Sequence, residues 1–164
     1  MHELYLNNIT ELAHELTYQR YLLNQGQANT LFQELSIPEY IALHYLSRSA
    51  SEKDNETGKT YLRDIAAELK LSIPQASRMV GQLRDKGLVS WSHDGDGSEG
   101  TYIIITDSGL RQMETQETLL KDYYSRVTEK FGRENLTTLL ELMIELEKVM
   151  DSELIGEGDG PDGI

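Results

Sequence analysis

The sequence predicts a mainly α-helical fold with a small β wing: a winged helix-turn-helix domain carrying a long helix at each end. Three observations point to it. The stretch 60–89 reads as two short amphipathic helices around a tight turn. Two strand-like runs with a glycine-rich tip follow directly, and apolar residues recur at helical spacing over more than two turns on either side.

In the N-terminal segment Ile9, Leu12, Ala13, Leu16, Arg20 and Leu23 recur at three- and four-residue steps, with Tyr5 and Leu22 off that stripe. The segment lacks proline, so one long helix over about 3–34 is expected, loosened near Asn24 to Asn29. Apolar positions on more than one side suit packing into a partner subunit; a lid on its own domain is the alternative. Ser36-Ile37-Pro38-Glu39 then supplies a cap, a first-turn proline and an early acid, starting a helix that runs to about Ser49. Residues 51–58 are polar and close on a glycine, which predicts an exposed loop.

The helix pair comes next. Leu62, Ile65, Ala66 and Leu69 in its first member, and Ile73, Ala76, Val80 and Leu83 in its second, reserve one face each for a shared core. Lys70-Leu71-Ser72 is too short for anything but a turn, and Ser72 is a good N-cap with Pro74 in the first turn behind it. The second helix then offers Ser72, Pro74, Gln75, Ser77, Arg78 and Gln82 to whatever it meets. Gln can pair with adenine edges, Arg with guanine edges or phosphate, and Ser with either. A solvated amphipathic face explains the same residues when this helix is taken alone.

The order of the following elements favours the DNA reading. Gly87 suits a left-handed helix cap, 88–92 and 101–106 have strand character, and 93–100 is a glycine-rich turn. A hairpin placed directly after a helix-turn-helix is a wing. Beyond it, Asp107-Ser108-Gly109 opens a helix to about Lys130, Phe131-Gly132 interrupts, and a last helix follows from Arg133 to Leu154. In that last helix Leu136, Leu139, Leu140, Leu142, Met143, Ile144, Leu146, Val149 and Met150 cover over half the circumference, more than one neighbour could bury. The expected arrangement is one domain over 1–155, with the winged helix at about 36–106, dimerisation helices at about 3–34 and 107–154, and a disordered acidic tail at 156–164.

Composition sets the bounds. The 164 residues can bury one ordinary core, and the absence of cysteine removes disulfides and thiolate metal sites. No leader-like or membrane-length apolar run occurs, so a cytoplasmic protein without membrane contact is expected. The net charge of −13 opposes nucleic-acid binding, but its distribution matters more. Over 72–86 Arg78, Arg84 and Lys86 face only Asp85, so the second helix of the pair is locally basic on an acidic body. There is no phosphate-binding glycine loop, nucleophile elbow or clustered His and carboxylate set, so no enzyme, cofactor or metal is expected. Asp94 and Asp96 read as turn formers, and His2 and His14 with acidic neighbours come nearest to a zinc set.

The chain resembles the multiple-antibiotic-resistance regulator (MarR) family of bacterial winged-helix transcription factors. The resemblance rests on Asp64-Ile65-Ala66, on Ser72 with Ser77-Arg78, on the run Leu83 to Val89, and on the exit Ile105 to Gly109. It implies a homodimer paired through its terminal helices, whose reading helices enter successive major grooves of a pseudo-palindromic operator, and a repressor released by a small-molecule effector. The family wing usually carries an Asp-x-Arg-like motif, whereas no Arg or Lys occurs here from Gly87 to Ile105 and Glu99 falls near the arginine position. Wing contacts would then fall to Ser92, His93 and Ser98, and weak or unusually salt-sensitive operator binding is expected. Family members often bind small aromatic or lipophilic acids beside the dimerisation helices; His14, Tyr18, Tyr40 and His44 are the candidate ligand contacts, unless the tyrosines simply cap a helical core. The alternative to a DNA-binding regulator is an acidic winged-helix interaction module that binds a protein partner.

Overall fold

The computed structural model describes residues 8–51, 59–94 and 100–156, without the side chains of 27–29, 155 and 156. Two compact units are present, 1–119 and 120–164. The first contains helix α1 (Ile9–Leu31), helix α2 (Ile37–Ser51), strand β1 (Thr60–Tyr61), helices α3 (Leu62–Leu69) and α4 (Ile73–Asp85), strands β2 (Val89–His93) and β3 (Thr101–Ile105), and the start of helix α5 (Asp107–Phe131). The sheet is antiparallel in the order β1-β3-β2, with Thr60 opposite Ile103 and Trp91 also opposite Ile103.

Strand β1 corrects the expectation that the first helix of the pair begins at Thr60. Its two residues are extended only because they pair with β3, a contact no local periodicity reports. The helix α1 ends at Leu31, short of the expected Glu34, and is continuous through Asn24–Asn29. The expected loop 52–58 and tail 157–164 lie outside the described residues.

The core joins Leu35, Leu43 and Leu46 of the α2 region with Leu62 and Ile65 of α3, Ala76, Val80 and Leu83 of α4, and Ile103 of β3. In α4 the buried set is Ala76, Met79, Val80 and Leu83; Ile73, expected inside, is 39% exposed. The core axis of α4 is therefore rotated toward Met79, which leaves the first turn outside.

Local chemistry fixes each junction. Ser36 and Glu39 form a reciprocal capping box at the start of α2, the Glu39 carboxylate accepting from Ser36 N at 3.0 Å. The other oxygen of buried Glu39 accepts from Lys86 Nζ at 2.8 Å, and Lys86 also donates to Glu34 O, tying the end of α4 to the start of α2. Burial pushes the Glu39 carboxyl up, but the bonds from Lys86 and Ser36 outweigh it and hold the group below its ordinary value. Lys70 ends α3 in the left-handed region at φ 52°. Gly87 ends α4 at φ 75°, with Leu88 N donating to Leu83 O and Gly87 N to Arg84 O, the Schellman pattern. At the exit of the wing Thr106 Oγ1 donates to Gly87 O and accepts from Gly109 N. Buried Gln116 on α5 donates to Leu31 O at 2.8 Å, satisfying the last carbonyl of α1.

The second unit holds the end of α5 and helix α6 (Arg133–Gly156), joined at Gly132 (φ 96°). Asn135 Nδ2 donates to Phe131 O across that break. Along α6 Leu142, Ile144, Val149 and Leu154 are each more than half exposed. Among the described residues no helix is long and apolar enough to cross a membrane.

Two glycines have opposite environments. A Cβ on Gly109 would lie 2.1 Å from Leu88 O, a backbone atom, whereas one on Gly81 in α4 would meet nothing within 4 Å. Gly109→Ala is expected to destabilise the protein by roughly 1–3 kcal/mol. Gly81→Ala should stabilise it by about 1 kcal/mol, because alanine loses less backbone entropy in a helix. Denaturant unfolding of the two variants checks both signs.

Candidate nucleic-acid interface

With Ala76, Met79, Val80 and Leu83 buried, the 100° step of a helix turns Pro74, Arg78 and Gly81 to the opposite, outward side of α4, and leaves Ser77 half-buried at the edge of that side. Ser72 and Gln82 lie exposed at its edges. Arg78 is exposed, and among the described residues it has no hydrogen-bond or ion-pair partner. Its guanidinium is therefore available to a base edge or a phosphate.

The other basic residues near α4 are engaged. Arg84 stacks 4.4 Å from the Trp91 ring of β2 and contacts Asp85, and Lys86 is held by Glu39. Arg63 lies 4.8 Å from the Tyr61 ring. Gln75 is engaged as well: Ser72 Oγ accepts from Gln75 N at 3.3 Å, and Gln75 Oε1 accepts from Ser72 N at 3.0 Å. A Gln that reads adenine with both its oxygen and its nitrogen would have to leave this box.

On the wing, His93 Nδ1 lies 2.9 Å from the hydroxyl of buried Thr101, its partner across the hairpin. Ser98 and Glu99 lie outside the described residues, as do Asp96 and Gly97. Sequence reasoning missed a cation at the wing root. Lys59 Nζ, just before β1, lies 3.0 Å from both carboxylate oxygens of Asp94, and Tyr61 OH donates to Asp94 Oδ2 at 3.1 Å. The bond from Lys59, assisted by Tyr61, holds the Asp94 carboxyl below its ordinary value, and the same bond raises the Lys59 ammonium. Thirty-five positions separate the pair, so no sequence spacing marks it.

The candidate ligand residues divide. Tyr40 and His44 share one side of α2 with ring centroids 6.1 Å apart, and Phe32 lies 6.1 Å from Tyr40. Burial, helped by Glu117, raises the Tyr40 hydroxyl above its ordinary value. His14 and Tyr18 are exposed on α1 and make no described hydrogen bond or ring contact. A cavity of about 260 Å³ is lined by Ile41, His44, Tyr45, Arg48, Ser49 and Glu68. Arg48, its cation, carries no sequence signal beyond its position one turn after His44. No group of three His, Cys, Asp or Glu side chains among the described residues could hold a metal ion, and His2 lies outside them.

Neither the family models nor the curated proteins give a match to this chain. Solved structures do. A mutant MarR from E. coli complexed with operator DNA superposes with a TM-score of 0.68 at 16% identity, covering 85% of this chain and 98% of that one. A MarR family regulator from Neisseria meningitidis gives 0.63 at 17% identity, covering 90% and 96%. The fold is that of the MarR-family regulators. NadR in complex with 4-hydroxyphenylacetate shares this MarR fold with a TM-score of 0.63 at 20% identity, covering 86% of this chain and 98% of that one.

The capping box on α4 is testable directly. Ser72→Ala should cost about 1 kcal/mol of stability, and Gln75→Ala roughly 0.5–1 kcal/mol. The double variant should cost less than the sum, because each half of the box orients the other. Strict additivity in denaturant unfolding would show that Gln75 stands outside the box.

Proposed function

We propose that this chain is a sequence-specific, double-stranded DNA-binding transcriptional regulator that acts as a homodimer. The observation that carries the reading is Arg78, exposed and unpartnered among the described residues on the outward side of α4. The wing beside it and the fold shared with a regulator complexed with operator DNA support the same reading. Ser72, Pro74, Ser77 and Gln82 complete the contact set, and Gln75 acts first as a cap. Recognition of DNA through a helix start places Arg78 on a guanine edge or a phosphate, with Ser77 near the bases. His93 and Ser98 are the remaining wing contacts, His93 with the nitrogen not facing Thr101.

The dimer is supported by the apolar residues left in water along α1 and α6, each an extended helical surface rather than a scattered leucine. Burying them against a second copy stabilises the pair by about 25 cal/mol per Å². The protein then works as a repressor released by an acidic effector. The Tyr40 and His44 side of α2 and the cavity with Arg48 suit a single-ring aromatic carboxylate, and NadR was solved with such a molecule. The protein is no enzyme in this reading and holds no cofactor.

Few free cations change the expected salt response. The slope of affinity against salt follows the number of phosphates neutralised, and Lys59, Arg84 and Lys86 are already held by carboxylates. Weak binding with a shallow salt dependence is therefore expected, instead of unusual salt sensitivity.

Selection from a random DNA pool tests the reading. The expected product is a palindrome with half-sites about one helical turn, roughly 10 base pairs, apart. Arg78→Ala should lower affinity for it on the order of 10- to 100-fold. A pool that yields no enriched sequence with an intact dimer points instead to a module that binds a protein partner.

A further inference from the structure

The hairpin carries no Arg or Lys from Gly87 to Ile105, yet its root is neutralised. Asp94 stands where β2 gives way to the wing tip, and three groups converge on it. Lys59 reaches both carboxylate oxygens from outside the hairpin, Tyr61 OH donates from β1, and Asp94 N itself donates to Gly100 O at 2.7 Å across the base of the wing. Lys59 Nζ also lies 4.6 Å from the ring of Tyr102, the β3 residue opposite Tyr61. One carboxylate thus ties together the approach to β1, the end of β2 and, through Tyr102, strand β3.

An exposed ion pair adds little to stability, and these two side chains are 28% and 41% exposed. Its consequence is positional and electrostatic. A bare carboxylate at the wing root would face the phosphates of any bound duplex, and like charges brought together oppose association. A paired one presents no net charge and a fixed hairpin.

We propose that Lys59 is a positioning residue for DNA binding: clamped on Asp94, it orients the wing root and cancels the carboxylate that would otherwise repel the duplex. This rests on the DNA-binding reading of the chain. It also assigns to a lysine preceding β1 the compensating role that the hairpin's own sequence leaves empty. Lys59 acts here through Asp94 and not by touching phosphate.

The test is a double-mutant cycle in the full-length dimer on DNA selected from a random pool. Lys59→Gln should weaken binding about tenfold. Asp94→Asn, which loses the anchor together with its charge, should weaken binding less than Lys59→Gln, by about threefold, and the double variant should lie within about twofold of Asp94→Asn, since neither a clamp nor a carboxylate is left for Lys59 to act through. A Lys59→Gln defect that persists undiminished in the Asp94→Asn background, with the salt slope reduced by about one, would mean a direct phosphate contact and overturn the proposal. No effect of Lys59→Gln would overturn it equally. Hydrogen exchange on the free protein separates the clamp from the DNA reading. Lys59→Gln should speed exchange of the Asp94 amide severalfold while leaving the α4 amides unchanged. Unchanged exchange at Asp94 would remove the clamp whatever the DNA result. Failure of the unaltered protein to select any DNA would instead remove the DNA reading and the electrostatic half of the proposal with it.

Discussion

Everything in the winged helix depends on how α4 is split between core and solvent. Ala76, Met79, Val80 and Leu83 are packed among Leu43, Leu46, Ile65 and Ile103, and that contact fixes the rotation of the helix about its own axis. Rotation decides which side chains reach solvent, because a turn of one residue would carry Arg78 toward the flank and bring Met79 out. The surrounding bonds hold the same rotation from both ends. The Ser72–Gln75 box fixes the start, and Gly87 with the Lys86–Glu39 pair fixes the finish against α2. Breaking one partner of the latter would leave a buried carboxylate uncompensated, which is why the pair matters more than its partly exposed lysine suggests.

Much of this was legible in sequence, for a physical reason. Ser36 and Ser72 act within one helical turn, Gly87 answers a local need for positive φ, and the β-branched run at Ile103 to Ile105 suits a strand wherever it lies. Such signals need no distant partner. Strand β1 was hidden because two residues, Thr60 and Tyr61, become extended only on meeting Ile103 and Tyr102. Ile73 misled for a related reason: its spacing fits the apolar stripe, but the packed rotation favours Met79.

The candidate interface could be proposed from residue types, but not the bonds those residues make. Arg78 could be placed on the outward face from periodicity alone, whereas Ser77 lies half-buried at its edge. That Gln75 spends its oxygen on Ser72, that His93 faces Thr101, and that Lys59 compensates Asp94 all depend on side-chain directions fixed by tertiary structure. Most cations around α4 hold the protein together, and Arg78 is left exposed and without a partner among the described residues. An acidic chain can bind DNA under such conditions, but its affinity must come from shape and specific contacts more than from general attraction.

Tethered cleavage tests most directly whether the outward side of α4 enters DNA. The chain has no cysteine, so Gln82→Cys introduces a single attachment point at the edge of that face for an iron chelate that cuts nearby backbone. On selected DNA, two clusters of cuts about one helical turn apart are expected, one from each α4 of the proposed dimer. Specific binding without localised cuts would contradict the account, since it would mean that the protein holds DNA through some other surface.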